Sequence, residues 1–163
     1  MNMKVHQSVE QGIYVVLMLA LEKDHKPVKS SVLSRILGVS DSYLKKILRK
    51  MVIAGIITSN ARRDGGFQLA RPVEELTIND VYHALEGEGN EMKLSGLAHQ
   101  IFDEDEKLAE DEKRVVEIFD KAFDAFENEL KKISISDLLF KTDYTNGKTH
   151  WSDRILESKS QTA

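Results

Sequence analysis

Gly38 and Gly55 bracket a segment whose pattern leaves few architectures open. Between them Leu44, Ile47, Leu48, Met51 and Val52 recur at helical spacing as one apolar stripe, while Lys45, Lys46, Arg49 and Lys50 cover the opposite side. Ser40 is placed to cap this helix, expected over residues 41–54, because a serine hydroxyl accepts from first-turn amides. Upstream, Val32, Leu33, Ile36 and Leu37 predict a short helix over about 31–37, which Gly38 stops in a left-handed position that costs glycine little. A helix, a glycine turn and a capped helix with a basic outer face make the helix-turn-helix layout.

The residues after Gly55 narrow the choice further. Ile56, Ile57 and Thr58 read as a strand, Phe67-Gln68-Leu69 alternates as a returning strand, and Ser59 to Gly66 is a polar, basic tip with two adjacent glycines. A hairpin directly after the second helix of a helix-turn-helix is a wing, and Pro72 closes it. The fold class expected is therefore mainly α with a small β wing: a winged helix-turn-helix DNA-binding domain plus a long dimerisation helix.

Charge divides the chain in the same place. Residues 26–71 hold ten bases against Asp41 and Asp64, a net of +8, although the whole chain carries −4. From Pro72 to Leu130, 18 acids face five bases. One basic face is enough to dock on the phosphate backbone, whatever the total charge. Base edges are best reached from the first turn of a recognition helix, which nominates Ser42, Tyr43 and Lys46 as readers and Ser40 for a phosphate. Tyr43 fits a helix-packing aromatic equally well. Lys45, Arg49 and Lys50 suit phosphate contacts or a solvated face. Arg62 and Arg63 at the wing tip suit a narrow minor groove, and Lys29 at the start of the short helix suits a phosphate.

Elsewhere the signals are helical. Val9, Ile13, Val16, Leu17, Ala20 and Leu21 predict a first helix, with Ser8 as N-cap and Gln11 completing a capping box. Thr77 should cap a helix over residues 78–86, followed by a loop at Gly87–Asn90. Leu108 to Ile133 contains neither glycine nor proline. Its stripe of Val115, Ile118, Phe119, Ala122, Phe126, Leu130 and Ile133 exceeds what one helix buries alone. It packs either on its own domain or on the same helix of a second copy. The domains expected are 1–89 for DNA binding, 90–140 for an acidic linker and long helix, and 141–163 as a flexible polar tail. The acidic run Asp103–Glu106 reads as a solvated link.

Several chemistries are excluded. With no cysteine there is no disulfide, thiolate nucleophile or all-cysteine iron–sulfur ligation. The five histidines, His6, His25, His83, His99 and His150, show no ligand spacing. Gly147-Lys148-Thr149 lacks the glycine a phosphate-binding loop needs five residues earlier; Thr142 stands there. No enzyme is expected. The longest apolar run, Ile13 to Leu21, is about half of what a bilayer crossing requires, so the expectation is a cytoplasmic protein without membrane association.

Five stretches together resemble the Rrf2 family of bacterial transcription regulators. They are Gln11-Gly12-Ile13 through Leu19-Ala20, Val39-Ser40 through Tyr43-Leu44, Ala54-Gly55-Ile56, Gly65 through Pro72, and Ile78-Asn79-Asp80-Val81 through Ala84-Leu85-Glu86-Gly87. The resemblance implies a homodimer on a palindromic operator, with the recognition helix in the major groove, the wing tip in the minor groove and the long helix as the dimer interface. Three departures stand out. Cluster-bearing members carry three cysteines between the short and long helices, where residues 90–111 here have none, so no cofactor is expected. A frequent Tyr-Leu-Glu-Gln is Tyr43-Leu44-Lys45-Lys46, and lysine cannot accept from cytosine as glutamate does. The usual Arg-Gly of the wing falls on Ala61-Arg62. The function expected is a homodimeric repressor whose partners are double-stranded DNA and a second copy, with either a small-molecule effector of unknown identity or no effector at all. The rival is a winged-helix adaptor that turns its basic face to an acidic protein.

Overall fold

A computed structural model describes residues 5–87, 92–103 and 106–160. The helices are α1 (Gln7–Leu21), α2 (Ser30–Leu37), α3 (Asp41–Ile53), α4 (Ile78–Glu86), α5 (Ala98–Ile101), α6 (Glu106–Lys131), α7 (Lys141–Tyr144) and α8 (Trp151–Ser160). The strands are β1 (Ile57–Asn60) and β2 (Gly66–Leu69). Two compact bodies result: Met1–Gly87 with Lys131–Ala163, and Glu88–Leu130. Residues 88–90 of the expected loop, part of the acidic run and the last three residues fall outside the described residues.

The first body is built on the apolar stripe of α3. Leu44, Leu48 and Met51 are fully buried against Val15 and Val16 of α1 and Val81 of α4. Each such side chain contributes about 1.5–3 kcal/mol by leaving water. Gly12 lets α1 and α4 close on each other, since a Cβ there would lie 2.5 Å from Leu85 Cδ1 and 2.8 Å from Val81 Cγ1. Gly38 ends α2 with φ +69°, as expected of a left-handed cap. Ser40 caps α3 by accepting from the Tyr43 amide at 3.3 Å. Thr77 and Asp80 form a reciprocal capping box on α4.

β1 and β2 pair antiparallel, from Ile57 opposite Leu69 to Asn60 opposite Gly66. The first strand starts one residue later than expected because Ile56 is still occupied by the helix end: its amide donates to Met51 O at 3.0 Å. Val28 adds a third rung. Its amide donates to Phe67 O at 3.0 Å, and it accepts from the Phe67 amide at 2.9 Å. The wing and the start of α2 are thereby held in one frame.

Three expectations are corrected. α1 begins at Gln7 with His6 as N-cap, so Ser8 does not cap it; the His6 amide donates instead to Glu86 Oε1 at 2.8 Å. The long helix ends at Lys131 rather than Ile133. There the chain turns extended to pair with residues 76–78: the Ile78 amide donates to Ile133 O and the Ile135 amide to Leu76 O. The segment expected as a flexible tail is folded over residues 141–160 and belongs to the first body. Its binding is mostly backbone-directed, which residue type does not announce. The Lys23 amide donates to Thr149 O at 2.8 Å, and Leu21 O accepts from the Lys148 and Thr149 amides at 3.0 Å. The Glu22 carboxylate, 2% exposed, accepts from the Trp151 amide and meets His150 Nδ1 at 2.6 Å. Trp151 itself is buried and donates from Nε1 to Met18 O.

In the second body α6 has no fully buried residue. His99 of α5 lies 3.5 Å from Glu112 of α6, and Phe119 and Phe123 pack with ring centroids 6.4 Å apart.

Candidate nucleic-acid interface

With Leu44, Ile47, Leu48 and Met51 buried, the 3.6-residue period of α3 turns Ser42, Lys46 and Arg49 outward. Lys46 and Arg49 have no ion pair among the described residues. The other two α3 lysines are engaged. Lys45 pairs with Asp41 at 2.7 Å, and that contact holds the Asp41 carboxyl below its ordinary range. Lys50 donates to Leu85 O at 3.0 Å and so caps the end of α4. Its amine has an intramolecular partner that the sequence did not reveal.

Tyr43 is 39% exposed, which favours neither a core aromatic nor a free reader. Its hydroxyl donates to Gln11 Oε1 at 3.0 Å, tying α3 to α1. Ser40 Oγ and Ser42 Oγ lie 3.4 Å apart at the start of the helix. Glu86 steadies the same corner. Burial pushes its carboxyl up, but the His6 amide and ring and the Lys50 ammonium outweigh that and hold it below the usual range. The bonds of Gln11, Glu86 and His6 could not be read from the sequence, because their partners lie 32 or 80 residues away.

The wing tip is a tight turn. The Gly65 amide donates to Arg62 O at 2.7 Å, and the Arg62 amide donates to Asn60 Oδ1 at 3.0 Å. A Cβ at Gly65 would lie 1.9 Å from Asn60 O, and one at Gly66 would lie 2.5 Å from Val28 O. Only glycine fits either place. Arg62 and Arg63 are exposed on this turn with no side-chain ion pair among the described residues. Lys29, exposed, immediately precedes α2 and follows the Val28 rung. The first body thus holds Lys29, the outer face of α3 and the wing on one hydrogen-bonded frame.

Of the residues in the long stripe, Val115, Ile118 and Ala122 are exposed and Phe119, Phe126 and Leu130 half-buried. Ile133, also exposed, lies beyond the helix end.

A model of the Rrf2 family, described as an iron-dependent transcriptional regulator, matches residues 5–141. The HTH-type transcriptional regulator YwgB of Bacillus subtilis is 38% identical over 101 residues, covering 62% of this chain and 65% of YwgB. The chain therefore spans less than two thirds of that relative. Among solved structures, CymR, the global cysteine regulator of B. subtilis, superposes with a TM-score of 0.59 at 19% identity, over 84% of this chain and 96% of CymR. IscR of T. potens does so with a TM-score of 0.60 at 21% identity, over 93% and 97%. At these identities the two structures speak for the fold.

The iron in the family description does not fit this chain's residues. A cysteine-held cluster needs thiolates, and the sequence has none. Among the described residues no group of three or more His, Asp or Glu side chains is placed to hold a metal ion. The family match itself covers most of the length and all of the winged helix-turn-helix, and the chain belongs to the Rrf2 family of transcriptional regulators.

Proposed function

We propose that this protein is a DNA-binding transcriptional regulator that works as a homodimer on a palindromic operator, represses by occupying a promoter, and carries no iron–sulfur cluster. The observation that carries the reading is a set of cations on one hydrogen-bonded frame that have no ion pair among the described residues: Lys46 and Arg49 on α3, Arg62 and Arg63 on the wing. Ser42, Tyr43 and Lys46 read base edges in the major groove. Ser40, Lys29 and Arg49 set the register on phosphates, and the two arginines enter the minor groove beside the tip. Lys45 and Lys50 contribute field more than contact, since both already have intramolecular partners.

The apolar stripe of α6 is the surface a second copy covers. Val115, Ile118, Phe119, Ala122, Phe126 and Leu130 meet the same helix of the partner, and Ile133 borders them. The dimer then presents two recognition helices one turn of DNA apart. The protein belongs in the cytoplasm with its DNA; among the described residues no helix is long and apolar enough to cross a membrane.

Titrating duplex DNA at stepped salt concentrations tests the reading. Around six phosphate contacts per bound dimer predict log affinity falling linearly with log salt, with a slope of about −5. A shallow slope, with tight binding to an acidic protein instead, would move the basic face to the adaptor role.

A further inference from the structure

The proposed function leaves one part of the first body without a task. A cavity of about 470 Å³ lies between the inner strand of the wing, the end of α1 and the C-terminal arm. Leu19, Leu69, Val73 and Tyr144 give it apolar walls. Its polar edge is basic on balance, with Arg71, Lys141 and His25 against Glu74. Two of the three bases are engaged. Arg71 holds Asp80 at 3.2 Å and Glu75 O at 3.1 Å, and His25 Nε2 lies 3.2 Å from Thr145 O. Lys141 has no ion pair among the described residues and is exposed at the edge.

The chamber is closed by tied segments on two sides. Gln68 Nε2 donates to His25 O at 2.8 Å, and the Asp24 amide donates to Asn146 O at 2.9 Å. Tyr144 and Thr145, which form the arm side, lie past residue 141, where the family match stops.

We propose that the chamber is a ligand site for a small amphipathic organic acid, its apolar body between Leu69 and Tyr144 and its anionic group at Lys141. The volume falls within the range of about 300–1,000 Å³ in which pockets enclose small ligands, and an apolar lining with one convergent charge is their usual composition. An occupant touches β2 and the arm together. β2 carries the wing tip through its register with β1 and is pinned to Val28 beside α2. Occupancy and operator affinity are therefore coupled, and each changes the other by the same factor. The coupling rests on the DNA-binding reading; the binding itself does not.

The test uses the full chain and 1-anilinonaphthalene-8-sulfonate, an aromatic monoanion, followed by fluorescence and calorimetry, with the uncharged dye Nile red beside it. One sulfonate site per chain is expected to disappear in Leu69→Trp, which fills the chamber. The same site is expected to weaken at least fivefold in Lys141→Glu with Nile red unaffected. Circular dichroism checks the fold, and Val73→Phe replaces Leu69→Trp if that variant does not fold. Identical sulfonate binding in all variants overturns the site, and loss in the filled variant alone overturns the role of Lys141. A saturating sulfonate that leaves DNA affinity unchanged overturns the coupling and leaves the site standing. Failure to bind DNA with or without the sulfonate overturns the function beneath it.

Discussion

Two residues of the first body do work that their own chemistry makes measurable. Gly12 stands where α1 and α4 touch, and any side chain meets Leu85 and Val81. Gly12→Ala is expected to be mildly destabilising, because a gain in helix propensity of about 1 kcal/mol offsets the displacement of the Leu85 end but not that of Val81, a stiff β-branched side chain in the buried seam. Gly12→Val has no such offset and should cost about 1–3 kcal/mol in denaturant titration. Asp80 is the second. Burial pushes its carboxyl up, yet the Thr77 amide and hydroxyl and the Arg71 guanidinium outweigh this and hold it below the ordinary range. A carboxylate with a lowered value stabilises the fold above its unfolded value of about 3.9 and loses that contribution as pH falls through the lowered one. Unfolding at pH 7 and pH 3 should therefore show a smaller acid loss for Asp80→Asn than for the native chain. An equal loss in both would remove Asp80 from the acid response. The Thr77 cap was legible, since it lies at the start of the helix it serves, whereas its return partner Asp80 was not named and the Ser8–Gln11 capping box expected by the same rule does not form. The Gln11–Tyr43 bond was not legible, because spacing along the chain says nothing about a partner in another helix.

Among the elements, the helix-turn-helix and wing could be read in advance and the arm could not. α2, α3 and the hairpin are specified locally: apolar stripes at helical period, glycines where φ turns positive, a capping serine. Their observed bounds shift from expectation by one or two residues, the largest being β1, which runs on through Ser59 and Asn60 of the expected tip. Residues 141–160 carry polar side chains with sparse apolar ones, and they dock by main-chain bonds to Leu21, Lys23 and Asp24. The buried Glu22 gave no warning either, as its partners arrive from 128 and 129 residues on. This arm reports on itself, because Trp151 is the single tryptophan. Its emission should be blue-shifted in the native chain. Glu22→Ala removes the acceptor for the Trp151 amide and is expected to shift emission to the red and expose the arm to protease before the rest unfolds. Unchanged emission and protection would show that the backbone rungs alone hold the arm.

At the scale of the whole molecule, the basic winged helix-turn-helix is followed along the chain by an acidic second body whose long helix has no buried residue of its own. Ile118 is 57% exposed in the single chain. Ile118→Asp should give a folded monomer in sedimentation, with operator affinity falling by two orders of magnitude or more as the second half-site is lost. A variant that stays dimeric would place the interface elsewhere. The central claim is that Lys46, Arg62 and Arg63 read an operator. Selection of bound sequences from random duplex DNA, run on the native chain and on a Lys46→Ala, Arg62→Ala, Arg63→Ala variant, tests it most directly. A palindromic motif with half-sites one helical turn apart is expected for the native chain, and its loss in the variant. A native chain that is folded and dimeric yet enriches no sequence, or a variant that enriches the same motif, would contradict it.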